Sequence, residues 1–191
     1  LSDEAYRLLE HDPRDRLPAA AELTDQAVSV AGLSKPFGLA GLRVGWSVCR
    51  DPELRERAAA YRDYLSGCTA APSEALALIA LRARDQVLGR SRALIGRNLA
   101  LLDAFVDAHG ELVSWHRPRA GSTAFLRLRS GVSADAFAAG LRESEGVLVL
   151  PGSVYGAPGE HIRLSFGAAG FADALERIDR FAAAWSPGPA A

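Results

Sequence analysis

A glycine-rich segment at residues 33–46 limits the fold of this chain more than any other stretch. It reads Leu-Ser-Lys-Pro-Phe-Gly-Leu-Ala-Gly-Leu-Arg-Val-Gly-Trp, and its three glycines and one proline exclude a regular helix. It follows residues 27–32, a β-prone run that ends at glycine and is typical of a buried strand. We therefore expect a strand, a loop and a return strand, with the return strand at about Arg43–Cys49.

Three helices are predicted after this loop. Asp51-Pro52 is a strong helix start, because aspartate caps the first turn and proline fits its first position. That helix is expected to end near Leu65, and a second one begins at Pro72. Apolar residues then recur at helical spacing over 87–109 and predict a long third helix that ends at Gly110.

The final third of the chain alternates short strands with helices. Strands are predicted at 112–115, 123–128, 147–150 and 161–166, and helices at 133–143 and 171–184. This pattern indicates a small α+β unit. Residues 186–191, which are rich in proline and glycine, are expected to form a disordered tail.

Charge and cysteine content argue against several classes of protein. The 22 basic and 23 acidic side chains leave a net charge of −1, which gives no electrostatic reason to bind nucleic acid or an anionic membrane. No apolar run approaches the roughly 20 residues needed to span a bilayer. Cys49 and Cys68 are too few for a disulfide framework and lack the spacing of metal ligands. We therefore expect a cytoplasmic protein without a metal site.

Lys35 is the only lysine among the 22 basic residues. An arginine-favouring composition would explain this, but lysine can also lose its proton and form a Schiff base, which arginine does not do. Arg43 lies eight residues further on and can supply a forked donor to a phosphate. Asp3, at the expected end of a strand, can supply a carboxylate to a ring nitrogen. An amine, a phosphate anchor and a carboxylate are the groups that pyridoxal 5′-phosphate (PLP) requires.

Three short motifs support this interpretation and identify a family. They are Ser2-Asp3-Glu4-Ala5-Tyr6, Ser34-Lys35 with Gly41-Leu42-Arg43-Val44-Gly45, and Arg163-Leu164-Ser165-Phe166-Gly167. Each is weak alone, but in this order they resemble the class I/II aminotransferases of the fold-type I PLP-dependent enzymes, from residue 1 to about 185. The resemblance implies an α/β fold of the aspartate-aminotransferase type. Residues 1–86 would be the C-terminal part of its large PLP-binding domain, and 87–185 an interdomain helix with the small α+β C-terminal domain.

The resemblance also implies roles for the cofactor-binding residues. Lys35 would form the Schiff base with PLP and then move the proton between the substrate Cα and the cofactor. Asp3 would pair with the pyridine nitrogen, and Tyr6 would donate its phenol to the ring O3′. Arg43 would hold the phosphate, with the Ser34 hydroxyl as a weaker second contact.

Arg163 would bind the substrate α-carboxylate in a bidentate manner. The partners implied are an amino acid, a 2-oxo acid and a second copy of the full-length protein, since these enzymes are usually homodimers. One position departs from the family pattern: many relatives have a phosphate-binding serine three residues before the lysine, where this chain has Gly32.

Other functions remain open at this point. The chain contains no methionine, and the first half of the family pattern is missing, so we expect a C-terminal fragment that is inactive alone. A PLP-sensing regulatory domain, like those fused to winged-helix repressors, would keep the same lysine and arginine. An inactive truncated remnant would also retain the motifs. Within the enzyme interpretation, residues 61–74 and the lysine loop resemble a subgroup that includes arginine-processing enzymes of peptide-antibiotic pathways.

Overall fold

A computed structural model describes residues 1–129, 131–157 and 159–185, and these residues form two units. The first unit contains Leu1–Arg92 and the short segment Arg119–Gly121. The second contains Ala93–Pro118 and the described residues from Ser122 onward. The domain boundary predicted between residues 86 and 87 stays a prediction, and the predicted tail at 186–191 lies outside the described residues.

A three-stranded sheet organises the first unit. Its strands are β1 (Ser2–Asp3), β2 (Val28–Gly32) and β3 (Gly45–Cys49), in the order β1-β2-β3. β1 is parallel to β2, and β3 is antiparallel to it. The predicted strand, loop and return strand are therefore confirmed. Asp3 ends β1, as expected; Ser2 is half-buried and Asp3 is exposed.

Four helices begin in the first unit: α1 (Ala20–Leu23), α2 (Pro52–Leu65), α3 (Ala71–Arg82) and α4 (Arg84–Ala108). The predicted cap of α2 is confirmed, since the Asp51 carboxylate accepts hydrogen bonds from the N–H groups of Glu53 and Leu54 at 2.9 and 3.2 Å. The short α1 was not predicted. α4 is the long helix expected from the apolar stripe, and it begins in the first unit and ends in the second.

The core of the first unit lies directly under the glycine-rich loop. Leu33 and Phe37, from the loop, pack with Ala77 of α3 and Leu88 of α4, and all four are at least 95% buried. The loop is therefore anchored by two of its own apolar side chains.

The second unit is a four-stranded antiparallel sheet with two helices. Its strands are β4 (Val113–Trp115), β5 (Thr123–Leu128), β6 (Leu150–Pro151) and β7 (His161–Ser165), in the order β4-β5-β7-β6. Its remaining helices are α5 (Ala134–Glu145) and α6 (Phe171–Ala184). The strand predicted at 147–150 was wrong in extent. Only Leu150 and Pro151 pair with β7, and 147–149 connect them to Gly146, which ends α5 with a positive φ of 67°.

Alternating side chains of the second sheet form its core. Leu126 and Leu128 of β5, with Ile162 and Leu164 of β7, are at least 96% buried, whereas the residues between them face the other side of the sheet. The end of β7 is fixed from α4, where the buried Asn98 amide donates 2.9 Å hydrogen bonds to the carbonyls of Phe166 and Ala168. The side chain at position 163 is therefore held on a rigid strand.

A search of the helices in the described residues found none that is both long enough and apolar enough to cross a membrane.

Candidate active site

The parallel pairing of β1 and β2 brings the predicted cofactor residues to one edge of the first sheet. Asp3 lies opposite Val30, and the next N–H group, of Glu4, donates to the Val30 carbonyl at 2.8 Å. Tyr6 and Lys35 each lie three residues beyond the end of their strand. Since the carboxyl ends of parallel strands share an edge, both side chains arise there. The Lys35 Nζ lies 5.7 Å from the centre of the Tyr6 ring.

The loop holds Lys35 in a fixed backbone setting while leaving its side chain exposed. Leu33 and Phe37 on either side are 0% and 5% exposed. The Leu33 N–H donates to the Val44 carbonyl at 3.1 Å, and the Leu39 N–H donates back to the Leu33 carbonyl at 3.1 Å. Ser34, beside Lys35, is half-buried in the same turn. The amine is therefore carried by a closed, well-packed loop rather than by a flexible one.

Two glycines, Gly32 and Gly45, let β2 and β3 approach closely at the base of this loop. A Cβ atom added to Gly32 would lie 3.0 Å from the Val44 carbonyl oxygen and 3.1 Å from the Gly45 Cα. A Cβ atom on Gly45 would lie 2.9 Å from the Ala31 carbonyl oxygen. A serine three residues before Lys35 would therefore require a small shift of the opposite strand.

Arg43 differs from the prediction, because it precedes β3 instead of lying in it. It follows a 3-10 turn at Ala40–Leu42 and has a positive φ of 55°. Its Nη1 donates to the Ala40 carbonyl at 2.9 Å. The left-handed conformation is unfavourable for a residue with a Cβ atom, by about 1–2 kcal/mol, and such strain concentrates at binding sites. The side chain is exposed at the end of the loop that carries Lys35.

The Tyr6 ring packs against a segment distant in sequence, Arg119–Gly121. A Cβ atom at Gly121 would lie 3.0 Å from the Tyr6 Cδ1. The segment is tied down by the His11 N–H, which donates to the Arg119 carbonyl, and by the Gly121 N–H, which donates to the Leu9 carbonyl. Sequence reasoning missed this contact, because a Pro-Arg-Ala-Gly turn carries no signal about its partner.

Leu8, two residues after Tyr6, was also missed. It has a positive φ of 78°, and its carbonyl accepts a 2.8 Å hydrogen bond from the Arg92 Nε. Its N–H donates to the Glu10 carboxylate at 3.0 Å. Its side chain packs on the loop core of the first unit. Like Arg43, Leu8 is a strained residue close in sequence to a predicted cofactor contact.

Glu4 holds together the elements around Asp3. Its Oε1 accepts hydrogen bonds from the Ser29 hydroxyl at 2.6 Å and from the Ala20 N–H at 2.9 Å, and Arg7 lies 3.7 Å from its Oε2. Burial, the largest single cause, opposes ionisation, but the hydrogen bonds from Ser29, Ala20 and Ser2 and the charge of Arg7 together outweigh it, so the pKa of Glu4 is lowered from its usual 4.5. Glu4 is therefore a charged link from β1 to β2 and α1.

An open cleft of about 580 Å³ is lined in part by Asp3 and Tyr6. Its lining also includes Glu4, Glu10 and Asp15, and each of these carboxylates is paired with an arginine. Lys35 and Arg43 are not among its lining residues. The cleft is therefore separate from the cations predicted to hold the cofactor.

Arg163 belongs to the second unit, whereas Asp3, Tyr6, Lys35 and Arg43 belong to the first. It lies on β7, opposite Phe125 of β5 and Leu150 of β6. Arg163 is half-buried, and its Nη1 donates a 2.7 Å hydrogen bond to the Tyr155 hydroxyl.

Comparison with known proteins gives a consistent result. The family model described as aminotransferase class I and II matches residues 1–180. Capreomycidine synthase of Streptomyces vinaceus is 30% identical over 166 residues, which are 87% of this chain and 42% of the synthase. An aromatic amino acid aminotransferase of Streptomyces coelicolor is 33% identical over 171 residues, 86% of this chain and 42% of that protein.

A solved structure shows the same fold. The crystal structure of a PLP-dependent aminotransferase from Streptococcus suis superposes with a TM-score of 0.88 at 29% identity, covering 98% of this chain and 49% of that one. The chain thus spans about half the length of the relatives it matches. The expected fold is confirmed, and PLP is the cofactor of the family, as the motifs implied. With the match over residues 1–180, this chain belongs to the class I and II aminotransferase family.

Proposed function

We propose that the protein carrying this chain is a PLP-dependent aminotransferase that acts on an amino acid and a 2-oxo acid, with Lys35 binding the cofactor as a Schiff base. One observation carries the proposal: the Lys35 Nζ lies 5.7 Å from the Tyr6 ring, at the edge where β1 ends in Asp3. An exposed amine, a phenol and a carboxylate at one sheet edge fit the aldehyde, O3′ and ring nitrogen of PLP. When bound, PLP supplies an electron-accepting ring that stabilises negative charge at the substrate Cα.

The residues of the first unit then have distinct tasks. With PLP bound, the Lys35 Nζ would take the proton from the substrate Cα. The Asp3 carboxylate would hold a proton on the ring nitrogen, and the Tyr6 hydroxyl would donate to O3′. Arg43, which has a left-handed backbone, and the Ser34 hydroxyl would bind the phosphate.

Arg163 binds the substrate carboxylate. Its guanidinium offers several N–H donors in a planar fork, which matches the two oxygens of a carboxylate. Its place on the central strand β7 limits its movement, and this favours bidentate binding.

We also propose that the full-length protein is a cytoplasmic homodimer. Every residue of α2 is exposed, including Tyr61, Tyr64 and Leu65, and such apolar surface is typical of an interface. Cys49 and Cys68 are free thiols, as is usual in a reducing compartment.

Capreomycidine synthase, at 30% identity, favours a second candidate function. In this alternative the same residues serve an arginine-processing PLP enzyme of a peptide-antibiotic pathway. The two candidates differ in substrate, so a screen of the standard amino acids, with arginine among them, separates them.

The test is the visible absorbance of the full-length protein with PLP, for the wild type and Lys35→Ala. We expect a band that resists dialysis in the wild type and is absent in the variant, because only the amine can bind the aldehyde. Turnover is expected to fall by at least about 10²–10⁴-fold, the usual contribution of a positioned base. Arg50→Ala, which removes an exposed cation paired with Asp25, is the matched control. It is expected to keep both the absorbance band and the turnover.

A band that persists in Lys35→Ala would contradict the proposal. A band that depends on Lys35 but gives no turnover with any amino acid would instead favour the PLP-sensing regulatory domain. No lysine-dependent band in the full-length protein would favour the inactive remnant.

A further inference from the structure

The setting of Arg163 on β7 limits what it can contact. Ile162 and Leu164 on either side are 2% and 4% exposed and enter the core, so Arg163 projects from the opposite face of the sheet. Its cross-strand neighbours, Phe125 and Leu150, are apolar. A carboxylate that reaches this face therefore meets a cation set between apolar side chains, where water competes less for its charge.

Tyr155 is a polar side chain in direct contact with this cation. The Arg163 Nη1 donates to the Tyr155 hydroxyl at 2.7 Å, and the guanidinium carbon lies 5.6 Å from the ring centre. The distance is that of a short, charge-assisted hydrogen bond. Tyr155 as a whole is 48% exposed.

The backbone around Tyr155 is firmly held. Tyr155 ends a 3-10 turn that begins at Gly152, and Gly156 closes the turn with a positive φ of 68° and an N–H bond to the Ser153 carbonyl at 3.1 Å. The Ser153 hydroxyl donates to the Asp135 carboxylate of α5 at 2.7 Å. The ring is therefore anchored at both its backbone and its hydroxyl.

The Tyr155 hydroxyl can accept a hydrogen bond from Arg163 and still donate one of its own. The phenol oxygen accepts one hydrogen from Nη1, and the phenol keeps its own hydrogen to donate. A hydrogen bond received from a cation polarises the hydroxyl and makes it a stronger donor. The natural acceptor is an anion bound to the same guanidinium.

We propose that Tyr155 is a second carboxylate-binding residue, which orients Arg163 and donates its phenolic hydrogen to the substrate carboxylate that Arg163 binds. The inference rests on the proposed function, because it takes Arg163 to be the carboxylate-binding arginine. It adds a residue outside the three motifs, and it assigns the carboxylate a third hydrogen bond besides the two from the guanidinium.

The test uses the full-length protein with PLP and the variant Tyr155→Phe, which keeps the ring over the guanidinium and removes only the hydroxyl. We expect the KM for the amino acid substrate to rise about tenfold to a hundredfold, the loss expected for one hydrogen bond to a charged group, with kcat within about twofold. A second readout does not depend on turnover. By NMR titration, the Kd of propionate is expected to rise by a similar factor, whereas the Kd of propionamide stays unchanged.

Two further variants make the outcome decisive. Arg163→Gln is expected to weaken propionate binding more than Tyr155→Phe, and the double variant to be no weaker than Arg163→Gln, since both act on one carboxylate. Ser144→Ala removes an exposed hydroxyl of α5, in the same unit as Arg163, and is expected to change neither the KM nor the Kd of propionate.

Each other outcome overturns a specific claim. If Tyr155→Phe leaves propionate binding unchanged while Arg163→Gln weakens it, the role of Tyr155 is wrong and the proposed function stands. If neither variant weakens it, the carboxylate role of Arg163 fails as well. If Tyr155→Phe weakens binding equally with and without Arg163, or lowers kcat at constant KM, Tyr155 does not act on the carboxylate through this pair.

Discussion

The two units use their apolar residues in opposite ways. In the second unit, Leu126 and Leu128 of β5 and Ile162 and Leu164 of β7 enter one core with α5 and α6, which bury Phe137 and Ile178 to 1% and 2% exposure. In the first unit, Trp46 and Val48 of β3 are 39% and 48% exposed. Three leucines and Ile79 of α3 are 40–62% exposed, and α2 buries nothing.

This difference shows how each unit holds its functional side chains. Arg163 stands on a sheet that a layer of helices stabilises. Lys35 stands on a loop held by a small core, by local backbone hydrogen bonds and by the contact of two glycines. The Lys35 amine is thus positioned by short-range contacts, and Arg163, the proposed carboxylate-binding residue, by a packed layer of helices.

The largest expected difference is in hydrogen exchange of the 191-residue chain. Amides of β5 and β7 can exchange only when the second unit unfolds, whereas amides of α2 exchange by local opening. We expect exchange in α2 to be faster by on the order of a thousandfold or more. Mass spectrometry of peptides from both regions measures this, and equal protection would remove the contrast between the units.

A smaller effect is expected from truncating one aromatic residue in each unit. Phe137→Ala removes a ring that packs edge-on against Phe181 and Trp185, at 5.1 and 5.4 Å between ring centres. It should lower the free energy of unfolding by about 3–5 kcal/mol. Tyr64→Ala, on the exposed α2, should change it by less than about 0.5 kcal/mol. Urea unfolding measures the free energy of unfolding of both variants. Similar decreases in the two variants would show that α2 is packed and contradict the contrast.

The smallest expected effect comes from Glu4→Gln in the first unit. It weakens the bonds from Ser29 and Ala20, at a cost of about 1–3 kcal/mol near neutral pH. Because the folded-state pKa of Glu4 is below 4.5, its carboxylate gives its full stabilisation above that pH. The stabilisation is lost as the pH falls through the folded-state value.

Unfolding midpoints of wild type and Glu4→Gln should therefore converge in acid. The exposed Glu56→Gln of α2 is the control and should match the wild type throughout. A gap that persists or grows in acid would contradict the ionised state of Glu4.

The sequence predicted elements with strong local signals and missed contacts that are remote. The cap at Asp51, the apolar stripe of α4 and the β-prone run at 123–128 each depend on residues close in sequence, and the helix start, the long helix and the strand that they predict were confirmed. The left-handed backbone at Arg43 and the Tyr6–Gly121 contact depend on residues brought together by folding. The candidate site shows the same division between local and remote signals. Asp3, Tyr6 and Lys35 were predicted from short sequence motifs, but no local pattern indicated the hydrogen bond between Tyr155 and Arg163.

The close approach at Gly32 and Gly45 has a consequence for how this chain tolerates mutation. Neither glycine has a side chain that could take part in chemistry, yet both control the spacing of the two strands directly below Lys35. A Cβ atom on Gly45 would lie only 2.9 Å from the Ala31 carbonyl oxygen, whereas a Cβ atom on Gly32 would make the milder contacts of 3.0 and 3.1 Å. In a comprehensive substitution map scored by growth, Gly45 would therefore be more sensitive than Gly32. A reader of such a map would find a sensitive residue with no reactive group, and strand spacing, rather than catalysis, would be the reason.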